Sequence, residues 1–468
     1  MQEADIAIIG GGPGGYVCAI RAAQLGLRTI VIEKDRMGGE CLNYGCIPSK
    51  ALITAVKLYD KIRNAQKLGI KVTGVEVDMQ IMQAWKKNVV ETFVSGVEQL
   101  CKGYGAKIIK GEAELVAKDR IRVTNKDQVE EISTEKLVIA TGSIPLELPF
   151  MRFDHRSIID SRDSLELTEV PKRFLVVGGG AIGLEIASLY QKLGSQVTIV
   201  ELTEQLLPGT DPEVVRIVQR NLERKGVKIY LKSKVVYAEK TPYSVKVTVQ
   251  TPEGNVEVET DKILLSIGRR PNTDKLNLGQ LGILTDQKGY ILVNKQMSTS
   301  VEGVYAIGDV TGPPMLAHKA SKQGIVAAEA AAGLPASADW KVIPDATFSE
   351  PEVANVGMTE ATAQVKGFAA AKARFPFAAL GRSLTAGETE GFVKLVYDQN
   401  TKLLLGAQIV GSSASDLISE VSLAIEMGAS VEDLAMTIHP HPTLPEGIME
   451  AAEIASGKPI HQLRIGQR

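Results

Sequence analysis

One local pattern occurs twice in this chain and restricts its fold more than any other feature: an apolar run, a glycine-rich turn, a helical stretch, a second apolar run and a terminal acid. In the first copy Ile6-Ala7-Ile8-Ile9 leads into Gly10-Gly11-Gly12-Pro13-Gly14-Gly15, then an alanine-rich stretch from Tyr16 to Leu25, then Thr29-Ile30-Val31-Ile32 ending in Glu33. In the second, Phe174-Leu175-Val176-Val177 leads into Gly178-Gly179-Gly180-Ala181-Ile182-Gly183, a helical stretch to Leu193, and Val197-Thr198-Ile199-Val200 ending in Glu201. Short continuous apolar runs are the mark of parallel strands buried on both faces. Gly10, Gly12 and Gly15 permit a tight turn, close approach to a pyrophosphate and close helix–strand packing, and Gly178, Gly180 and Gly183 repeat the arrangement. Each helix N-terminus presents free amides and a positive dipole end to phosphates, and each acid is placed to accept from a ribose diol. Two dinucleotides are implied. A carboxylate repels a 2′-phosphate, and Leu202-Thr203-Glu204-Gln205 supplies no arginine after Glu201. The second dinucleotide is therefore NAD rather than NADP.

Between the two copies lies Gly38-Gly39-Glu40-Cys41-Leu42-Asn43-Tyr44-Gly45-Cys46-Ile47-Pro48-Ser49-Lys50, with two of the four cysteines of the chain. In a regular helix these Cα atoms would stand roughly 8.5 Å apart, beyond the roughly 4.4 to 6.8 Å of a disulfide. Asn43, Gly45 and Pro48 favour irregular backbone that brings such a pair together. A bridge closing so small a loop adds little stability, so exchange chemistry is the better reason for one. The alternative is two free, partly buried thiols. A metal site is disfavoured, because Cys18 and Cys101 stand alone and complete no tetrahedral set.

With 468 residues the chain has length for about three domains. A net charge of -2 offers no basic excess for nucleic acid or an anionic membrane, and no apolar run spans a bilayer. The start, Met1-Gln2-Glu3-Ala4-Asp5, has no charged-then-apolar signal. The expectation is an intracellular, cytoplasmic protein, where a disulfide is usually transient and catalytic.

Helical segments are expected from about Pro48 to Leu68 and Asp78 to Leu100, and a strand over 138–140 that runs into the turn Thr141-Gly142-Ser143. Gly303-Val304-Tyr305-Ala306-Ile307-Gly308-Asp309 reads as a strand ending at an aspartate, either a site residue or a surface acid, before a helix from Ala317 to Ala331. After a linker near Leu334 to Ala338 come alternating strands and an amphipathic helix near Asp416 to Met427. Near the end stands Ile438-His439-Pro440-His441-Pro442-Thr443-Leu444-Pro445-Glu446, which the prolines hold extended or turned. Thr443 and Glu446 fit a capping box for the following helix, and the histidines are either incidental to a turn or functional.

Taken together these motifs resemble the flavin disulfide reductases, the class I pyridine nucleotide–disulfide oxidoreductases, over essentially the whole chain, and within them the branch that oxidises dihydrolipoamide. The resemblance implies an α/β fold with two Rossmann-like dinucleotide-binding domains and a C-terminal α+β dimerisation domain. The expected bounds are 1–143 with 271–343 for FAD, 144–270 for NAD, and 344–468 for the dimer interface. It implies that Cys46 is the flavin-proximal sulfur and Cys41 the interchange thiol, with His441 of the second subunit as acid–base, oriented by Glu446. Lys50 and Glu185 match an ion pair near the flavin N5. Asp309 matches a contact to the ribityl chain, with Met315, Leu316, Ala317 and His318 along the flavin, Thr141, Gly142 and Ser143 on the isoalloxazine side, and Ala113 at FAD through its backbone. Val235 and Gly268 match contacts to NAD. The implied reaction is oxidation of protein-bound dihydrolipoamide by NAD, and the implied partners are lipoyl domains and the acyltransferase core of 2-oxo acid dehydrogenase complexes, or the lipoyl protein of glycine cleavage. An NADH-dependent reductase of another disulfide is the alternative. Three positions depart from the family pattern: Pro440 and Pro445 replace the usual alanine and serine, and Ala181 stands where a larger side chain is common.

Overall fold

The computed structural model describes residues 2–463, which divide into two compact units. The first comprises residues 2–155, 159–170 and 267–339, and the second residues 156–158, 171–266 and 340–463.

The first unit is built on a sheet in which strands Lys107–Lys110, Thr29–Glu33, Gln2–Ile9 and Gln128–Ile139 lie side by side in parallel. Val304–Ala306 joins Gln128–Ile139, also in parallel, and the antiparallel strands Arg120–Asn125 and Glu112–Ala117 extend the sheet. Ile6, Ile8, Val31, Leu137, Val138 and Ile139 are completely buried, as strands covered on both faces must be. Burial of each such side chain is worth about 1.5–3 kcal/mol. Helix Pro13–Gln24 starts on a proline that needs no hydrogen-bonded amide, is carried by alanines, and packs closely on helix Ala317–Ala331. Helix Met79–Gly103 begins where Asp78 accepts the Gln80 and Ile81 amides. The helix expected to reach Leu68 closes at Arg63, and a short 3-10 turn continues from Ala65 to Leu68.

The second unit repeats the parallel theme with Lys228–Tyr230, Gln196–Val200, Arg173–Val177 and Lys262–Leu265, beside an antiparallel meander from Lys234 to Thr260. Its C-terminal part is a five-stranded antiparallel sheet ordered Asp345–Thr347, Glu352–Gly357, Leu404–Gly411, Phe392–Asp398, Ala370–Pro376. Helices Ala414–Met427 and Glu446–Ala455 pack on this sheet around Phe375, Phe377, Leu395, Ile409, Val421 and Ile448. Among the described residues no helix is long and apolar enough to cross a membrane.

Candidate active site

The two cysteines lie on either side of a break between helix Gly39–Tyr44 and helix Cys46–Arg63. Gly45 adopts φ -132, ψ -101 at this break. A Cβ there would lie 3.3 Å from the Glu40 carbonyl and 3.6 Å from the Cys41 Cα, so the fold-back leaves little room for a side chain. It brings the Cys41 and Cys46 Cα atoms to 4.7 Å, and the pair is a disulfide. The irregular backbone expected here is confined to Gly45, since Asn43 lies within helix Gly39–Tyr44 and Pro48 within helix Cys46–Arg63. Both sulfur-bearing residues are half-buried, whereas Cys18 and Cys101 are fully buried free thiols whose pKa values burial pushes up to about 12 and about 11. Cys46 is the first residue of an 18-residue helix. The positive end of that helix favours a thiolate at Cys46 once the bridge opens.

A polar chain around the dithiol was not foreseen from the sequence. Glu40, next to Cys41, accepts from Arg162 Nε at 2.9 and 3.1 Å and pairs with Arg269 Nη2 at 3.6 Å. Arg269 Nε donates to Ser143 Oγ at 2.7 Å, and Ser143 Oγ donates to Asp309 Oδ2 at 2.6 Å. One guanidinium thus joins the residue beside Cys41 to the turn that carries Asp309. Arg162 also stacks on the Tyr44 ring, 4.4 Å from its centroid, and Tyr44 donates to Asp35 at 2.6 Å. Burial, with Asp35 beside it, pushes the Tyr44 hydroxyl up to about 12. The only hint in the sequence was charge at Glu40 beside the cysteine, and its partners are more than a hundred positions away.

The glycine turn Gly10–Gly15 fits a flavin dinucleotide. Gly10 has φ +106, and a Cβ on Gly15 would collide with the Gly10 carbonyl. Gly12 precedes the helix with no side-chain cap, which leaves the first amides for phosphate oxygens. Glu33 Oε2 accepts the Gly11 amide at 2.7 Å, and Oε1 accepts the Asp35 amide at 2.8 Å. Asp309 is partly exposed, and its Oδ1 has no hydrogen bond among the described residues, so it retains an acceptor for a hydroxyl. The second turn fits NAD in the same way. Glu201 is 6% exposed, accepts the Gly179 amide at 2.6 Å, and takes the Thr203 amide and hydroxyl at 2.8 and 2.9 Å. No cation pairs with it among the described residues, in keeping with a ribose hydroxyl rather than a phosphate.

The remaining expected residues are placed as follows within their own units. Thr141 Oγ1 donates to the Asn272 carbonyl at 2.7 Å and Gly142 has φ +73. Met315 and Leu316 precede helix Ala317–Ala331, whose first two residues are Ala317 and His318. Ala113 is buried in strand Glu112–Ala117, Val235 in strand Lys234–Lys240, and Gly268 takes φ +124. Lys50 lies in the dithiol helix of the first unit. Glu185 is buried in helix Ala181–Lys192 of the second unit, where it accepts the Phe348 amide at 2.9 Å.

His441 Nδ1 lies 2.7 Å from Glu446 Oε1. Its side chain is 75% exposed against 14% for Glu446, so the imidazole projects outward from a largely buried carboxylate. Burial raises the cost of the Glu446 anion, but the Thr443 amide and the His441 imidazole outweigh it and hold the carboxyl below its usual range. The capping box takes a different form from the one expected. Glu446 accepts the Thr443 amide at 2.7 Å, but Thr443 Oγ1 donates to the Pro440 carbonyl and Pro445 occupies the N-cap. Half of the box is made, and the free carboxylate oxygen goes to His441. His439 faces Glu420 at 2.8 Å and the Thr437 carbonyl at 2.9 Å.

The pyridine nucleotide-disulphide oxidoreductase model matches residues 4–324, and the dimerisation domain of the same family matches residues 343–452. The dihydrolipoyl dehydrogenase of Geobacillus stearothermophilus is 46% identical over 459 residues, covering 98% of this chain and 97% of that protein. The dihydrolipoyl dehydrogenase of Haloferax volcanii is 45% identical over 464 residues, 98% of each chain. Among solved structures, LpdA from Mycobacterium tuberculosis superposes with a TM-score of 0.90 at 29% identity, over 97% of this chain and 99% of that one. The HOCl-induced flavoprotein disulfide reductase RclA of Escherichia coli gives 0.86 at 27% identity, over 96% and 99%. With two family models spanning nearly its whole length and relatives this similar end to end, the chain belongs to the pyridine nucleotide-disulphide oxidoreductases.

Proposed function

We propose that this protein oxidises dihydrolipoamide to lipoamide with NAD as acceptor, as an FAD-dependent homodimer. The observation that carries the reading is the Cys41–Cys46 disulfide held on a helix N-terminus, in a chain closely similar to dihydrolipoyl dehydrogenases. When bound, FAD relays two electrons between the dithiol and NAD. The first substrate thiolate attacks Cys41 Sγ, breaking the bridge and releasing Cys46 as a thiolate that its helix dipole stabilises. His441 accepts the substrate proton, with Glu446 holding Nδ1 so that Nε2 faces outward. As the second substrate thiol attacks the mixed disulfide it yields its proton to the departing Cys41 sulfur, which leaves lipoamide, Cys41 as a thiol and Cys46 as a thiolate. That pair closes again as two electrons leave for NAD.

The family dimerisation domain supports the homodimer, and the exposure of His441 suits a group that serves the partner subunit's dithiol. Lys50 and Glu185 would form the charge pair near the flavin N5. The division into an FAD domain (1–143 and 271–343), an NAD domain (144–270) and an interface domain (344–468), like a cytoplasmic location, is part of the same reading. Lipoyl domains with the acyltransferase core of a 2-oxo acid dehydrogenase complex, or the lipoyl protein of glycine cleavage, are the proposed partners.

The test is anaerobic reduction by NADH, and by dihydrolipoamide with NAD, followed in the visible. A long-wavelength thiolate–flavin band with rapid NADH production is expected. It should vanish in Cys46→Ser and persist in Cys41→Ser, and turnover with some other disulfide alone would refute the substrate. Glu446 sharpens the reading through pH. A carboxyl held low in the fold contributes stability above its unfolded value of about 4.3, and the contribution is lost as pH falls through the lower folded value. Thermal melts of wild type and Glu446→Gln should therefore differ at neutral pH, and the difference should shrink as pH falls through the lowered folded value.

A further inference from the structure

The second unit contains a cavity of about 560 Å³ that neither glycine turn explains, between helix Pro212–Arg224, edge strand Ala370–Pro376 and the C-terminal residues Ile454 and Gln462. Arg216 and Arg220 are four apart on the helix and share a face, and Lys372 and Arg374 are two apart on the strand and share a face. All four line the cavity.

Their charges are incompletely matched. Glu213 serves Lys372 at 2.8 Å, Arg374 at 3.6 Å and the buried Lys394 at 3.7 Å. Glu360 adds 2.9 Å to Lys372, and Asp211 takes Lys394 at 2.5 Å. Among the described residues neither Arg216 nor Arg220 has an acidic partner; the Arg216 guanidinium donates only to the Pro212 carbonyl at 3.3 Å, and the Arg220 guanidinium makes no hydrogen bond. Two like charges at this helical spacing repel each other, so placing them together opposes helix stability unless an anion joins them.

The other walls are of a different kind. Ile217, Phe392 and Ile454 present apolar surface, and the Arg374 guanidinium stacks 5.0 Å from the Phe392 centroid. Gln462 Oε1 is shielded from solvent and has no hydrogen-bond partner among the described residues, which leaves an acceptor for a donor inside the cavity. Guanidinium forks match phosphate oxygens in pairs, and the volume is of the size that takes a small ligand.

We propose that this groove is a binding site for a phosphorylated small molecule of nucleotide size. Its phosphates lie between Arg216, Arg220 and Arg374, its ring against Ile217, Phe392 and Ile454, and a hydroxyl or amine donates to Gln462.

The test is isothermal titration of the FAD-loaded dimer with inorganic pyrophosphate and with adenosine 5′-diphosphate, in wild type and in Arg216→Gln/Arg220→Gln. Loss of charge-assisted hydrogen bonds should weaken pyrophosphate at least about tenfold in the double variant. Dihydrolipoamide turnover with NAD should remain at the wild-type rate, which keeps this site separable from the catalytic reading. The diphosphate should bind more tightly than pyrophosphate, and Gln462→Ala should remove part of that advantage. Identical isotherms in wild type and the double variant would place all phosphate binding at the glycine turns and overturn the site. An advantage untouched by Gln462→Ala would overturn the nucleotide part.

Discussion

The two glycine turns share a backbone and differ in their surroundings. Gly10 and Gly178 both take φ +106, and Gly12 and Gly180 both precede their helices in extended conformation. The acids Glu33 and Glu201 accept the equivalent Gly11 and Gly179 amides at 2.7 and 2.6 Å. Around the first turn the protein closes in. A Cβ on Gly39, the first residue of helix Gly39–Tyr44, would lie 2.6 Å from the Gly12 Cα, and one on Gly324 of helix Ala317–Ala331 would lie 2.5 Å from the Gly14 carbonyl. Around the second, a Cβ on Gly179 would still lie 2.6 Å from the Leu206 side chain, but one on Gly180 would meet nothing within 4 Å. Ala181 and Ile182 at the helix start are exposed, where the corresponding Pro13 is half-buried and Gly14 buried. The same phosphate-binding turn is therefore built once as an enclosed seat, suited to a cofactor that stays, and once as an open one, suited to a nucleotide that enters and leaves each cycle.

The strongest attempt to break this contrast is a matched pair of substitutions. Gly15→Ala and Gly183→Ala each force a methyl into the carbonyl of their own turn, and the latter also brings it within 2.7 Å of Ser266 Oγ. Gly15→Ala should purify without colour and without activity. Gly183→Ala should remain yellow, with KM for NAD raised by about a hundredfold or more for a loss of several kcal/mol. A colourless Gly183→Ala protein, or a yellow Gly15→Ala one, would erase the distinction.

A milder change sharpens it. Glu201→Gln weakens acceptance from the ribose diol while conserving shape, and should raise KM for NAD about tenfold, as expected for a hydrogen bond to a charged group, with flavin content unchanged by absorbance. The smallest effect concerns Cys18, buried on the first helix with its thiol pushed up to about 12. In the flavin-loaded protein at pH 8, alkylation should reach Cys41 and Cys46 after reduction and leave Cys18 unmodified by mass spectrometry. Removal of the flavin should make Cys18 measurably reactive if the enclosed seat depends on its occupant.

Much of this was legible because the chemistry is local. Strand, turn, helix and acid follow one another within 28 residues in each copy, Ile6 to Glu33 and Phe174 to Glu201, and the cysteines flank their own glycine, so each reading needed only neighbours in the sequence. The Glu446 role was half legible: its spacing from Thr443 announced a cap, yet Pro445 at the N-cap released one carboxylate oxygen for His441. The Glu40–Arg269–Ser143–Asp309 chain was illegible, because it assembles positions brought together only by the sheet and its crossovers. Nothing in the local sequence singles out Arg216 and Arg220, and only the strand opposite gives them a shared cavity.

The bonds from Glu33 and Glu201 to the amides of their own turns also bear on the timing of a thermodynamic cost. Ordering a backbone residue costs about 1–2 kcal/mol, and here each acid holds its turn in shape before any nucleotide arrives. That expense falls on folding, where the buried sheet offsets it, rather than on association. Binding then yields more of its intrinsic affinity, and replacing either acid removes a ligand contact and loosens an otherwise preorganised seat.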